Sequence, residues 1–134
     1  MEVDWRATDP ESGRLSPERR SSVDEYLAWI EALRALGEGY SEVNLSGSTY
    51  PRLALSFRGG YGVVEQFATA EAMFLLAGDG VIADNETVPV PMLDDPDLAE
   101  FTGAFVVSAD HAWAVVREFL RGGSVEDLGD WQQL

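Results

Sequence analysis

The chain has 134 residues, a formal net charge of −15 and no cysteine. Its length and its 46% hydrophobic content predict one domain with a sizeable core, and the lack of cysteine excludes disulfides and thiolate metal sites. The strong acidity and the lack of any basic cluster argue against nucleic acid as a partner. No apolar run approaches the roughly 20 residues of a membrane span. Residues 1–9 lack the apolar core of a signal peptide, so we expect a cytoplasmic protein with no membrane partner.

The N-terminal third predicts one well-defined helix. Residues 1–15 are polar and predict a flexible segment or at most a short strand at Val3–Trp5. The Ser22-Val-Asp-Glu25 pattern is a capping box, and Gly37 supplies a left-handed stop, so the helix should cover about residues 22–36. Its apolar residues recur at helical spacing and predict one buried stripe. They are Val23, Tyr26, Leu27, Ile30, Leu33 and Leu36.

The middle of the chain predicts a mostly antiparallel sheet of five or six strands. Gly59-Gly60 is a hairpin turn signal, and Tyr61–Phe67 reads as the returning strand. Pro89 places residues 87–90 at a sheet edge. The other predicted strands cover residues 43–45, 53–57, 72–76 and 102–107.

A second helix is predicted after Ser108, which is a suitable N-cap. Asp110 complements the helix dipole in the first turn, and Gly122-Gly123 end the helix. The stripe expected to face the core comprises Ala112, Val115, Val116, Phe119 and Leu120. Two helices flanking a mostly antiparallel sheet give an α+β fold in a single domain over residues 1–134.

The charge is unevenly distributed along the chain. Between Gly59 and Val116 there is no lysine or arginine, although the segment carries ten carboxylates. Self-repulsion of this size destabilises the compact state, which favours a protein that faces a cationic partner. The ten are Glu65, Glu71, Asp79, Asp84, Glu86, Asp94, Asp95, Asp97, Glu100 and Asp110.

The cluster Asp94, Asp95 and Asp97 lies in a predicted acidic loop over residues 92–100. It has three interpretations: a solvated loop, an acidic surface for a partner, or a metal site. The loop lacks the alternating aspartates, glycine and distal glutamate of an EF-hand. His111 is the only histidine and has no companion motif, so we predict no catalytic, cofactor or metal site.

Trp131 follows Glu126, Asp127 and Asp130 near the end of the chain. An aromatic residue among carboxylates is a candidate interface anchor, because tryptophan anchors interfaces and carboxylates attract arginine and lysine. A strand residue that covers the core is an equally good interpretation.

The last third resembles a known family. Phe105-Val-Val-Ser108 leads into a predicted helix over residues 109–121 that contains Val-Val-Arg-Glu-Phe-Leu; a Gly-Gly break and Asp130-Trp131-Gln132 follow. This combination, over residues 103–132, resembles immunity-protein family one of bacterial polymorphic toxin systems. The resemblance implies an α+β protein that is encoded beside a toxin and neutralises it by direct binding. Toxins paired with this family are often nucleic-acid deaminases, which tend to present basic surfaces.

One segment departs from the family pattern. Glu126-Asp127 stand where members often carry an apolar strand before the tryptophan. The terminal strand and the role of Trp131 therefore stay open.

Together these observations predict a non-enzymatic immunity protein, favoured as a monomer, whose partner is a cognate toxin domain with a basic surface. Acidic loops would replace nucleic-acid phosphates and cover the active site of the toxin. An acidic chaperone or adaptor for a secreted protein, normally dimeric, is the alternative. A small metal-dependent hydrolase ranks last. The predicted partner-binding residues are Asp84, Glu86, Asp94, Asp95, Asp97, Glu100 and Trp131.

Overall fold

The computed structural model describes residues 1–95 and 97–134. Within these residues there are two helices and ten strands, so the α+β prediction is confirmed, although the strands outnumber the five or six predicted. The helices are α1 (Val23–Leu36) and α2 (Ala109–Leu120). The strands are β1 (Glu2–Ala7), β2 (Arg19–Ser22), β3 (Glu38–Leu45), β4 (Arg52–Arg58), β5 (Tyr61–Phe67), β6 (Met73–Leu76), β7 (Thr87–Val90), β8 (Ala99–Thr102), β9 (Val107–Ser108) and β10 (Trp131–Gln133).

Eight strands form the main sheet, and two form a separate hairpin. The order in the main sheet is β10-β6-β5-β4-β3-β1-β2, and β9 pairs with β5. Strands β7 and β8 pair only with each other, and all the neighbouring strands are antiparallel. The short β2, β9 and β10 account for most of the excess over the predicted number.

Both helices begin where the capping residues predict. The Ser22 hydroxyl accepts a hydrogen bond from the Glu25 amide at 3.2 Å, and the Ser108 hydroxyl accepts one from the His111 amide at 3.1 Å. Gly37 ends α1 in the left-handed conformation, with φ 94°. The predicted stripe of α2 is buried throughout. Neither described helix is long and apolar enough to span a membrane.

The stripe predicted for α1 is wrong at its last member. Tyr26, Ile30 and Leu33 are buried, whereas Leu36 is 62% exposed. Leu36 is the final helical residue, and the chain turns at Gly37 into β3, so the sheet underneath α1 does not extend over this side chain.

The N-terminal segment is an internal part of the sheet. β1 lies between β2 and β3, so it is longer and more central than the short strand predicted there. Trp5 is buried, and its indole N–H donates to the Ser21 hydroxyl at 2.9 Å. Because strands on both sides satisfy its backbone, this segment is firmly held.

The continuous strand predicted over residues 102–107 is also wrong. β8 ends at Thr102, a 3₁₀ turn covers Gly103–Phe105, and β9 follows. The cause is a close backbone crossing: a Cβ atom on Gly103 would lie 2.1 Å from the Ala83 carbonyl oxygen. Only glycine permits this approach, and the turn redirects the chain towards β5.

The main sheet separates two different layers. We call its side beneath α1 and α2 the helix face; this side carries the larger apolar core, with Trp5, Leu55 and Val64 among its residues. We call the other side the hairpin face, because the β7–β8 hairpin packs against it. There Val88 and Val90 meet Val63 and Leu75 in a smaller apolar cluster.

Candidate partner-binding surface

The six predicted carboxylates all belong to the β7–β8 hairpin and the loops at its two ends. Asp84 and Glu86 precede β7, whereas Asp94, Asp95 and Asp97 lie in the loop between β7 and β8. Glu100 is on β8, opposite Pro89 and on the outer side of the hairpin. The carboxylates therefore form two groups, one at each end of the hairpin, and Glu100 lies between the groups. All six are exposed.

None of these six carboxylates forms an ion pair with a basic side chain of the described residues. Three of them accept hydrogen bonds from backbone amides instead. Glu86 accepts from Ala83 at 3.2 Å, Asp94 from Leu15 at 3.0 Å, and Asp95 from Asp97 at 2.9 Å. These bonds fix the loops but leave the negative charge unneutralised.

The arginines show the opposite pattern, because nearly all of them are engaged within the described part of the chain. Arg19 stacks over Trp29, with its guanidinium carbon 4.7 Å from the ring centroid, and Arg117 lies over Trp113. Only Arg14 has neither a carboxylate nor an aromatic partner there. Those in ion pairs are Arg6, Arg20, Arg34, Arg52, Arg58 and Arg121.

Two adjoining depressions lie between the end of α1 and the β7–β8 hairpin. They have volumes of about 550 and 540 Å³ and share Leu36 and Glu38, so we call them together the Leu36 groove. The first also lies against the turn after β1 and the acidic loop. The second extends along Thr87 and Pro89 of β7 to the turn between β4 and β5.

The Leu36 groove combines exposed leucines with carboxylates. Leu36, Leu93 and Leu98 are 62%, 47% and 40% exposed. Scattered exposed leucines are ordinary, but an apolar group rimmed by polar residues is typical of an interaction site. The carboxylates that line it are Asp9, Glu38, Asp94 and Asp95, against the two guanidinium groups of Arg14 and Arg58.

The field in the groove is negative for a second reason. The C-terminal end of α1 is at the groove, and the unsatisfied carbonyl groups at a helix C-terminus carry partial negative charge. Glu38 is only partly neutralised, because Arg58 lies 3.5 Å from it and both side chains are about half exposed. A cationic group is therefore the favoured occupant on electrostatic grounds.

Leu93 has a conformation that leucine rarely adopts. Its φ is 53°, and it is the only described residue other than glycine with a positive φ. This left-handed conformation costs a branched residue roughly 1–2 kcal/mol. It is held in place by the Asp95 amide, which donates to the Met92 carbonyl at 3.2 Å, and by the bond from Leu15 to Asp94.

Trp131 lies elsewhere, at the edge of the main sheet. It is in β10, opposite Leu76, so the terminal strand left open by the sequence is present. The ring is partly buried against the core, and its N–H donates to the Val125 carbonyl at 2.8 Å. It does not line the Leu36 groove, and its contacts here are those of a residue that covers the core.

The hairpin face also holds a buried network of charges that the sequence did not reveal. Glu42 accepts hydrogen bonds from Arg6 at 3.0 and 3.2 Å, from Arg52 at 3.1 Å and from the Tyr40 hydroxyl. Burial alone would raise the pKa of Glu42, but these hydrogen bonds outweigh it and hold the pKa below its usual value.

Glu65 is the contrasting member of this region. It lies two strands from Glu42, with Ala54 between them in the register, and it is 8% exposed. No hydrogen-bond partner for its side chain occurs among the described residues. Burial, together with the negative charge of Glu42, raises the pKa of Glu65.

His111 joins the start of α2 to a turn. Its Nδ1 lies 3.1 Å from Asp79, which also accepts from the Ser108 amide at 3.1 Å. Burial would raise the pKa of Asp79, but the hydrogen bonds from Ser108, His111 and Val81 lower it. No group of three metal-binding side chains converges within residues 1–95 and 97–134.

The groove residues that sequence reasoning missed are its leucines, with Asp9 and Glu38. Periodicity places Leu36 in the buried stripe because it does not show where the underlying sheet stops. A usable signal was present in Leu93 and Leu98, which are two leucines in an otherwise acidic loop. Comparison of the chain with protein-family models and with curated proteins gives no match.

Proposed function

We propose that this chain is an immunity protein that binds a cationic, nucleic-acid-targeting toxin, of which a deaminase is the favoured type, and blocks its active site or substrate surface. The observation that carries this proposal is the group of six exposed, unneutralised carboxylates on one hairpin, beside a groove with exposed leucines. The likeness of residues 103–132 to immunity-protein family one supports the same assignment.

The mechanism follows from charge. A toxin that acts on nucleic acid presents basic residues to the phosphates of its substrate. Carboxylates on the β7–β8 hairpin would pair with those residues, so inhibitor and substrate would compete for one surface. Opposite charges also steer the two proteins together, which raises the association rate at low salt. No catalytic group of this chain takes part.

The test uses the toxin domain encoded beside this chain. Expressed alone in a bacterial host, that domain should stop growth, and co-expression of this chain should restore it. Purified together, the two should form a stable complex, and the chain should inhibit modification of a nucleic-acid substrate stoichiometrically. Growth that is not restored, or the lack of a complex between the purified proteins, would refute the proposal.

Two charge variants test whether the carboxylates of the hairpin, rather than the net charge of the protein, steer the association. The variant with Asp84→Asn, Glu86→Gln, Asp95→Asn and Glu100→Gln removes four hairpin charges with little change in shape. It should associate more slowly at low salt and with nearly the wild-type rate at high salt. The control Glu2→Gln, Glu25→Gln, Glu71→Gln and Glu126→Gln removes the same charge from exposed sites outside the hairpin, and should have a smaller effect.

A further inference from the structure

The Leu36 groove is a concave surface bordered by Asp94 and Asp95 of the hairpin. It is formed by five separate parts of the chain: the turn after β1, the end of α1, the start of β3, the turn between β4 and β5, and the β7–β8 hairpin. Each of its depressions is within the range of roughly 300–1,000 Å³ that is usual for ligand pockets. Its size and shape suit a short chain segment better than a flat protein surface.

The chemistry of the groove specifies what such a segment must carry. Leu36, in the middle, offers an apolar contact to an aliphatic or aromatic side chain. Asp94 and Asp95 on one side and Glu38 beside Leu36 offer carboxylates. Arginine and lysine fit both features, because their methylene stems pack on apolar residues while the charged group reaches a carboxylate.

Charge excludes the competing occupants. A second copy of this chain would bring another −15 charge against the groove, and nucleic acid or an anionic membrane would be repelled as well. The strained backbone at Leu93 points to a binding role in addition. Asparagine or glycine would adopt φ 53° at lower cost, yet a half-exposed leucine stands there.

We infer that the Leu36 groove is the anchor site for the toxin, and that it accepts a segment with an apolar residue next to arginine or lysine. This inference rests on the proposed function and specifies which surface of this chain anchors the toxin. A few well-packed residues in the desolvated centre of an interface supply most of its affinity, and surrounding charges mainly set its association rate. The leucines should therefore control dissociation, and the carboxylates association.

The experiment measures binding of the toxin domain, made inactive by a substitution in its own active site, to purified variants of this chain. Leu36→Gln keeps a good helix former at the end of α1, and Leu93→Asn suits the left-handed conformation. We expect the double variant to weaken binding by about tenfold or more, mainly through faster dissociation. Leu134→Gln is the matched control, because Leu134 is 63% exposed but lies outside the groove.

The possible outcomes distinguish failure of the groove assignment from failure of the proposed immunity function. Wild-type affinity in the double variant, with a complex still formed, would overturn the groove assignment and leave the immunity proposal standing. No complex with the unaltered chain would overturn both. A wild-type dimer that dissociates in the variant would identify the groove as a self-association surface and contradict the inference. Leu93→Asn alone decides the matter if Leu36→Gln fails to fold.

Discussion

The two faces of the main sheet are stabilised by different means. On the helix face, Trp5, Leu55 and Phe57 pack against α1 and α2, and few polar groups are involved. On the hairpin face, Glu42, Asn44 and Glu65 are nearly as well buried. The helix face is stabilised mainly by apolar area, whereas the hairpin face combines a smaller apolar cluster with buried charged groups. Substitution of a buried carboxylate on the hairpin face should therefore destabilise the protein where the charge is paired and stabilise it where the charge is unpaired.

The largest effect should come from the helix face. Trp5→Ala removes a ring that packs edge-to-face on Tyr26 and Trp29, with centroids 5.4 and 5.2 Å apart. We expect the free energy of unfolding to fall by about 3–5 kcal/mol. Urea unfolding measures it. Trp131→Ala, at the partly covered sheet edge, is the control and should lower the free energy of unfolding by clearly less. Equal losses in the two variants would show that Trp5 contributes no more to stability than a residue at the sheet edge.

The next effect should come from Glu42. Glu42→Gln leaves Arg6 and Arg52 without their buried carboxylate and should lower the free energy of unfolding by about 2 kcal/mol at neutral pH. The pKa of Glu42 is lowered in the folded protein, so its stabilisation is present above the ordinary value of about 4.3 and is lost as pH falls through the lowered value.

Unfolding measured at neutral pH and below pH about 3 checks this. The difference between wild type and Glu42→Gln should shrink at the lower pH. A difference that is the same at both would mean that the carboxylate charge does not stabilise the network.

Glu65 should give a smaller change of opposite sign. Its pKa is raised in the folded protein, so the wild type loses stability as pH rises above the ordinary value of about 4.3. Glu65→Gln removes that loss and should stabilise the protein by about 1 kcal/mol at neutral pH, with no gain below about pH 4. Destabilisation at neutral pH would show that the ionised carboxylate has a favourable partner.

The smallest effect should come from the loop beside the hairpin face. Leu93→Asn relieves a left-handed leucine and removes little buried apolar area, so we expect a gain of at most about 1 kcal/mol. Thermal unfolding compares it with Leu98→Asn, which has no strain to relieve. If both variants lose the same stability, the backbone at Leu93 is not strained.

Prediction from the sequence succeeded where local chemistry decides the structure. Ser22, Gly37 and Ser108 fixed the helix ends through their own hydrogen bonds or dihedral angles, and Gly59-Gly60 fixed the hairpin of β4 and β5. These signals depend on neighbours in the chain, so one sequence suffices to detect them.

Prediction failed where distant segments decide the structure. The crossing at Gly103 depends on Ala83, and the exposure of Leu36 depends on where β3 turns away. The buried network of Glu42 depends on Arg6 and Arg52, which lie beside it only because β1 and β4 flank β3. The acidic residues of the hairpin stand out in the sequence by their charge, but Asp9, Glu38 and the exposed leucines of the Leu36 groove do not, since separate segments of the chain bring them together.

The strand order has a consequence for how the sheet assembles. Strands β3, β4, β5 and β6 are neighbours in both the chain and the sheet, so their pairing closes only short loops. By contrast, the chain between β6 and its other neighbour, β10, contains the β7–β8 hairpin, the turn at Gly103 and α2. Among the described strand pairs, β10 and β6 join the residues farthest apart in the chain, so their pairing closes the longest loop. We expect this pairing to form late and to leave the outer edge of β6 open until then.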